Sequence, residues 1–136
     1  MLVLPRSLWL EVLGHCYDGL PDEACGLLGG RRDRALVFVP CANADRSSRT
    51  FSLGPECWEA ADRRLGAAGL DLVAVVHSHT HTEAYPSPTD VDQASNPLLP
   101  TDRWVVVSLR PPAPSIRSYR ITDGSVAEEP IEVRPG

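Results

Sequence analysis

The stretch LDLVAVVHSHTHTEAYPSPTD, residues 70–90, decides the fold of this chain and the chemistry that we expect from it. Its first seven residues form a continuous apolar run of strand length, which is the pattern of a β-strand buried on both faces. Three of the chain's four histidines follow at every second position. Because side chains two residues apart in extended backbone project to the same side, His77 and His79 can direct their imidazoles to one point.

The segments on either side of this run predict an α/β fold with a central mixed sheet flanked by helices. Apolar and β-branched runs indicate further strands, and proline or glycine marks where helices begin and end. Gly69 suits the end of a helix, and Asp123-Gly124 is a two-residue hairpin signal. We expect one domain spanning residues 1–136. The predicted strands cover 1–4, 23–30, 35–40, 70–76, 104–109, 116–121 and 125–133, and the predicted helices begin at Pro5, Pro55 and Pro88.

Composition and charge exclude several classes of protein. The net charge of −5 leaves no basic field for nucleic acid or for an anionic membrane surface. No segment approaches the ~20 apolar residues of a membrane span, and the N-terminal residues lack the features of a signal peptide. The four cysteines form no CxxC pair, so we expect reduced and mostly buried thiols in a cytoplasmic protein.

The end of the buried strand has the residues of a catalytic metal site. Two neutral imidazoles and one carboxylate, with a fourth position open to water, are the ligands of a catalytic zinc. His77 and His79 supply the imidazoles, and Asp90, which the loop 80–86 brings back, is the natural carboxylate. The segment Ser87-Pro88-Thr89-Asp90 is, however, also the pattern of a helix start with a capping-box carboxylate. From the residues alone, both roles of Asp90 stay open.

A catalytic metal also needs a base near its water, and the candidates are Glu23, Glu83 and Asp92. We favour Glu23 because it begins a predicted strand after a tight turn, from which it can lean toward the site of a neighbouring strand. Glu83, in contrast, lies in a loop of turn-forming residues. His81 lies in the same loop and is expected to be exposed or outside the ligand set, and His15 on the first helix is expected to be structural.

These residues resemble the JAMM, or MPN-plus, metallopeptidase family. That family has an early glutamate and, further on, His-Ser/Thr-His, seven residues, Ser, two residues and Asp. Here the pattern reads Glu23, His77-Ser78-His79, the seven residues THTEAYP, Ser87, Pro88-Thr89 and Asp90. The stretches PDEACGLLGG, HSHTHTEAYPSPTD and SYRITDGSVAEEPIEV are most similar to the small actinobacterial members, which hydrolyse a sulfur-carrier-protein–cysteine adduct.

The resemblance implies a sheet flanked by helices as in cytidine deaminases, with Zn²⁺ held by His77, His79 and Asp90. It implies Glu23 as the base and Ser87 as the group that stabilises the oxyanion. The implied substrate is the amide between cysteine and the C-terminal glycine of a ubiquitin-like sulfur-carrier protein, which has a Gly-Gly tail. The implied product is free cysteine, and no nucleic acid or membrane is a partner. A homodimer is compatible with the resemblance.

Two alternatives stay open beside this function. The same fold supports metal-free scaffold subunits, although such members usually lose the ligands that this chain keeps. A more general isopeptidase, like a deubiquitinating enzyme, would use the same chemistry on another tail. Many family members have proline where this chain has Thr80, and the difference weakens the likeness to the deubiquitinating branch. Tyr85 is either a contact for the tail or a packing residue. A deaminase is excluded, since the PCxxC motif is absent.

Overall fold

The computed structural model describes residues 1–136, which form eight strands and three helices. The strands are β1 (Leu2–Pro5), β2 (Cys25–Arg31), β3 (Arg34–Cys41), β4 (Asp71–His79), β5 (Arg103–Ser108), β6 (Ser115–Thr122), β7 (Ser125–Glu129) and β8 (Ile131–Arg134). The helices are α1 (Arg6–Asp18), α2 (Pro55–Ala68) and α3 (Pro88–Ala94). All strands belong to one mixed sheet in the order β7-β6-β5-β4-β2-β3-β1-β8, which confirms the predicted class. None of the helices has the length and apolar character that a membrane crossing requires.

Each face of the sheet is covered by its own apolar core, one beneath α1 and the other beneath α2. Ala74 and Val76 of β4 belong to the α1 core, whereas Val75 belongs to the α2 core. Because strand residues alternate between faces, His77 and His79 project to the α2 side. The helix residues that reach the two cores are Leu8, Val12 and Cys16 from α1 and Cys57, Ala61 and Leu65 from α2.

Strand β4 is longer than its apolar run predicts, because it continues through His77 to His79. It pairs antiparallel with β2, where Cys25 lies opposite His77, and parallel with β5. The alignment extends beyond the end of β2. The Ala24 N–H donates to Ser78 Oγ at 2.8 Å, and the Ser78 N–H donates to the Ala24 carbonyl at 2.9 Å. Glu23 is thereby brought to the level of His79.

The ends of the helices follow the local chemistry that the sequence predicts. Pro55 and Pro88 are the first residues of α2 and α3, where a missing N–H costs no hydrogen bond. Gly69 ends α2 with a φ of 66°, the left-handed conformation that glycine adopts without steric cost. Pro5 closes β1 and immediately precedes α1. The third helix ends at Ala94, as expected before the proline that follows.

The prediction of one strand over 125–133 is wrong in detail, because the segment divides at Pro130. Strand β7 pairs antiparallel with β6, whereas β8 pairs parallel with β1. Proline cannot donate to a ladder, so the chain changes partners at this residue. Strands β7 and β8 lie at opposite edges of the sheet although only Pro130 separates them along the chain. The sheet therefore curls to bring these two edges together. The predicted strand 23–30 also begins later, at Cys25.

The prediction that all cysteines are reduced thiols is wrong for two of the four. Cys41 at the end of β3 and Cys57 in the first turn of α2 form a disulfide, with their Cα atoms 5.3 Å apart. Cys16 and Cys25 are buried free thiols, as expected. Spacing along the chain does not reveal the bonded pair, because only the packing of α2 against the sheet brings these Cα atoms within bonding range.

Candidate metal centre

His77, His79 and Asp90 converge in the structure, and their ligand atoms face one point. Nε2 of His77 lies 2.9 Å from Oδ2 of Asp90 and 3.1 Å from Nε2 of His79. Nε2 of His79 lies 3.1 Å from the same carboxylate oxygen. The three residues are 0%, 4% and 3% exposed. Two imidazoles and one carboxylate fit a divalent metal ion that keeps a further position for water or substrate. The end of β4 and the start of α3 therefore form a buried metal site.

The electrostatics of the site favour metal binding. Burial lowers the pKa of His77 despite the neighbouring Asp90, so this ring is neutral at pH 7. Burial alone would raise the pKa of Asp90, but hydrogen bonds from the two imidazoles lower it far below its usual value. Burial also opposes the charged form of His79, yet its hydrogen bonds to Asp90 and to the Glu83 carbonyl raise its pKa. A cation that binds here therefore competes chiefly with a proton on His79.

The loop 80–86 orients His79 through its backbone. Nδ1 of His79 donates to the Glu83 carbonyl at 2.8 Å, which leaves Nε2 as the ligand atom. The loop itself is tied to the sheet, because Ser108 Oγ donates to the Thr82 carbonyl at 2.5 Å and the Tyr119 hydroxyl donates to the Ala84 carbonyl. The loop thus supplies the hydrogen bond that a metal-binding histidine needs at its second nitrogen.

Asp90 has both roles that its sequence context left open. The Asp90 N–H donates to Ser87 Oγ at 3.1 Å, and the Ser87 N–H donates to Asp90 Oδ2 at 2.9 Å, which completes a capping box at the start of α3. The same Oδ2 faces the two imidazoles. The capping box therefore fixes the direction of the carboxylate. Because Ser87 Oγ accepts a bond from the backbone, its own proton stays available for donation to a substrate.

Glu23 is a buried carboxyl group that is 5% exposed and whose Oε1 has no hydrogen-bond partner. Its N–H donates to the Ser47 carbonyl at 2.8 Å, and its carbonyl accepts from Asn43 Nδ2 at 3.0 Å. Burial raises its pKa to about 7; the charge of His79 opposes this rise, and the Asp90 carboxylate adds to it. A carboxyl group with this pKa and a free oxygen is suited to accept and return a proton near neutral pH.

The structure separates the other candidate residues from the ligand set. Glu83 contributes its backbone carbonyl to His79, and its side chain is exposed. Asp92 lies beyond Asp90 on α3 and lines an apolar cavity of about 500 Å³. His81 is exposed, and His15 has a structural contact, with Nε2 lying 2.9 Å from the carbonyl of Cys25. Tyr85, the possible tail contact, is half exposed, and its ring packs edge-on against Tyr119 at 5.5 Å.

Sequence reasoning missed Phe51, which is 1% exposed and stacks on the His77 ring. It also missed the role of Ser78, the middle residue of the histidine motif. The Ser78 hydroxyl accepts a hydrogen bond from the N–H of Ala24, the residue next to Glu23. Phe51 lies in the polar loop between β3 and α2, where no motif marks it. The one signal was an isolated aromatic residue in a segment otherwise rich in serine and arginine.

Comparison with known proteins gives a consistent result over nearly the whole chain. The family model described as prokaryotic homologs of the JAB domain matches residues 5–122. The CysO-cysteine peptidase of Mycobacterium tuberculosis (strain ATCC 25618 / H37Rv) is 40% identical over 136 residues, which cover 98% of this chain and 91% of that protein.

Two solved structures have the same fold. The solution structure of protein DSY2949 from Desulfitobacterium hafniense has a TM-score of 0.89 and 33% identity, and the match covers 100% of this chain and 94% of that one. AF2198, a JAB1/MPN domain protein from Archaeoglobus fulgidus, has a TM-score of 0.63 and 19% identity, with 97% of each chain covered. The second likeness concerns the fold alone.

Proposed function

The chain belongs to the prokaryotic homologues of the JAB domain, and from this premise we propose that it is a zinc-dependent hydrolase of a sulfur-carrier adduct. The bond cleaved is the amide between cysteine and the C-terminal glycine of a ubiquitin-like sulfur-carrier protein, and the product is free cysteine. The observation that carries the proposal is the buried set of His77, His79 and Asp90 beside the unpartnered Glu23 carboxyl. The mycobacterial CysO-cysteine peptidase, similar over 91% of its length, supports the choice of substrate.

Zinc is the metal that best suits two imidazoles and one carboxylate. Held by His77, His79 and Asp90, it would act as a Lewis acid, lowering the pKa of a coordinated water toward about 7 and polarising the scissile carbonyl. The protein's part is to present the three ligand atoms in fixed directions. The Glu83 carbonyl does this for His79, and the capping box at Ser87 does it for Asp90.

Glu23 is the proposed general base and acid. Its ionised carboxylate takes a proton from the attacking water, and the same group then protonates the departing amine of cysteine. Two features of the side chain support this role: Oε1 has no competing hydrogen bond, and burial raises the pKa to about 7. Hydrogen bonds with Ser47 and Asn43 hold its backbone, and its carboxyl group lies close enough to His79 and Asp90 to interact with their charges.

Ser87 is the proposed hydrogen-bond donor to the oxyanion that forms at the glycine carbonyl. Its Oγ accepts the Asp90 N–H, which leaves the hydroxyl proton as the group to donate. A donor positioned in advance in a site sheltered from water contributes about 3 to 4 kcal/mol to transition-state stabilisation. We expect Ser87→Ala to reduce the rate of turnover while the metal stays bound.

The burial of the site favours a slender substrate. Glu23, His79 and Thr80 are only 4–6% exposed, so the reacting carbonyl has to reach them on a narrow stretch of chain. A Gly-Gly tail has no side chains and meets this requirement, and Tyr85 beside the site is a candidate contact for it. We propose the carrier protein as the partner, in the cytoplasm, with neither nucleic acid nor a membrane involved; a homodimer is compatible with this function.

The proposal is tested with zinc-loaded protein and a carrier protein whose C-terminal glycine is linked to cysteine. Intact-mass spectrometry should show the carrier losing one cysteine residue. Glu23→Gln should bind zinc and give no turnover, whereas the matched control Glu83→Gln should remain active. Cleavage of a ubiquitin isopeptide instead of the adduct would favour the general isopeptidase. Failure to bind zinc at all would favour the metal-free scaffold.

A further inference from the structure

The two imidazoles of the metal site are held in different ways. Nδ1 of His79 donates to the Glu83 carbonyl, the contact that orients most metal-binding histidines. Nδ1 of His77 is buried and has no hydrogen-bond partner in the protein. His77 is nevertheless completely buried and comes close to both other ligands. Some other contact must therefore fix the plane of its ring.

Aromatic side chains provide that contact. The Phe51 ring stacks on His77 with a centroid distance of 4.4 Å and an angle of 17° between the planes. Trp104 meets His77 edge-on at 5.9 Å and 76°, and it also packs against Phe51 at 5.8 Å. Face-on contact on one side and edge-on contact on another leave the imidazole little freedom to rotate. Such aromatic pairs contribute energy beyond the burial of their surface.

Phe51 is itself held by the loop that carries it. Its carbonyl accepts a hydrogen bond from Gln93 Nε2 of α3 at 2.7 Å, and its side chain is 1% exposed. The disulfide between Cys41 and Cys57 closes the loop at its base. Gln93 lies three residues after Asp90, so one short helix supplies a metal ligand and the anchor of the residue that packs on another ligand.

We propose that Phe51 is a positioning residue for the metal centre, whose stacked ring replaces the missing hydrogen bond of His77. The flat ring keeps the imidazole in the plane from which Nε2 points at Asp90 and at Nε2 of His79. Without the ring, His77 samples other orientations in the metal-free protein. More conformational entropy is then lost when a cation binds. The proposal rests on the metal-binding part of the proposed function and is independent of the substrate.

The chain contains only two phenylalanines, and the second is a matched control. Phe38 is 2% exposed and packs edge-on against His15, which is not among the three ligands. Phe51→Leu and Phe38→Leu therefore each remove one buried phenyl ring. The first ring packs on a metal ligand and the second on a structural histidine. Phe51→Tyr keeps the stacked ring and serves as the conservative variant.

The experiment measures zinc affinity by competition with a chromophoric chelator and records the visible absorption of the Co²⁺-substituted protein. Phe51→Leu should weaken zinc binding by ~10- to 100-fold, as the loss of an orienting contact does elsewhere, and should change the cobalt spectrum. Phe38→Leu should lower the unfolding temperature but leave both readouts as in the unmodified protein. Phe51→Tyr should bind zinc with the affinity of the unmodified protein.

Unchanged zinc affinity and cobalt spectrum in Phe51→Leu would overturn the positioning role, even if the unmodified protein cleaves the carrier adduct. An equal loss of affinity in Phe38→Leu would also overturn it, since the effect would then be general destabilisation. The expected pattern of affinities without cleavage of the adduct would leave the positioning role standing and remove only the proposed substrate.

Discussion

Replacing Glu23 with glutamine should change how the stability of the metal-free protein depends on pH. Burial raises the pKa of Glu23 from 4.5 to about 7 in the folded state. The protonated form is therefore favoured by folding. Its contribution to the free energy of unfolding is fully present below about pH 4.5 and is lost as pH rises through about 7. Glutamine, being neutral at every pH, lacks this dependence.

The size of the effect follows from the displacement of the pKa. A tenfold change in proton affinity corresponds to ~1.4 kcal/mol, so the rise from 4.5 to about 7 corresponds to about 3 kcal/mol. Because Glu23 is 5% exposed and Oε1 has no partner, solvent screens this penalty little. The variant should gain about 3 kcal/mol relative to the unmodified protein between pH 4 and pH 8.

The assay is chemical denaturation of chelator-treated protein at several pH values in this window. Titrating groups that do not interact with Glu23 contribute equally to both proteins, so the difference between the two curves reports chiefly on Glu23, with a smaller part from His79, whose pKa the Glu23 charge raises. Glu83→Gln, at an exposed position, is the control and should follow the unmodified protein. Added zinc should shrink the difference, because a nearby dication favours the ionised carboxylate. Parallel curves for Glu23→Gln and the unmodified protein would refute the reasoning, since the carboxylate would then be solvated or paired at all pH values.

Three further changes test other parts of the structure. Asp90→Ala should abolish zinc binding, measured by metal analysis after dialysis, and should also weaken the start of α3, because the capping box is lost; retained zinc would mean that another group completes the site. Cys41→Ala combined with Cys57→Ala should lower the free energy of unfolding under oxidising conditions by about 3 kcal/mol, since the bond closes a loop 16 residues long; a dithiol reductant applied to the unmodified protein should act likewise, and unchanged denaturation midpoints would contradict the estimate. Gly30→Ala should destabilise the protein, because its Cβ would lie 1.9 Å from the Arg34 carbonyl oxygen at the bulge between β2 and β3; a normal unfolding temperature would show that the hairpin can shift to accept it.

The elements that could be predicted are those whose signals are local. The apolar run before His77 identified the buried strand, and the alternate spacing of His77 and His79 indicated a shared direction because extended backbone repeats every two residues. Gly69 identified a helix end because only glycine adopts its left-handed conformation freely. The segment 125–133 looked like one strand because its pattern is continuous, and its division at Pro130 depends on which partners the chain finds on either side.

Within the candidate site, the spacing of residues along the chain predicted the metal ligands but not the residues that hold those ligands in place. Asp90 lies close to the histidines along the chain, so a short loop and a helix start were enough to suggest that it returns to them. Phe51 and the bonded pair Cys41 and Cys57 meet their partners only across the α2 face of the sheet. No periodicity or motif in the loop itself encodes that contact.

By itself, the sequence determined most of the strands and helices along the chain, the shared direction of two imidazoles, and the likeness to a metallopeptidase family, which implied Asp90 as the third ligand. These predictions rest on residues that lie close together along the chain or on a motif that is associated with one kind of chemistry. Only the tertiary structure decided how Glu23 comes beside His79, which ring packs on His77 and which cysteines are joined. The physical reason is that such contacts arise from the antiparallel alignment of β2 with β4 and from helices packed on the sheet, so they join residues far apart along the chain.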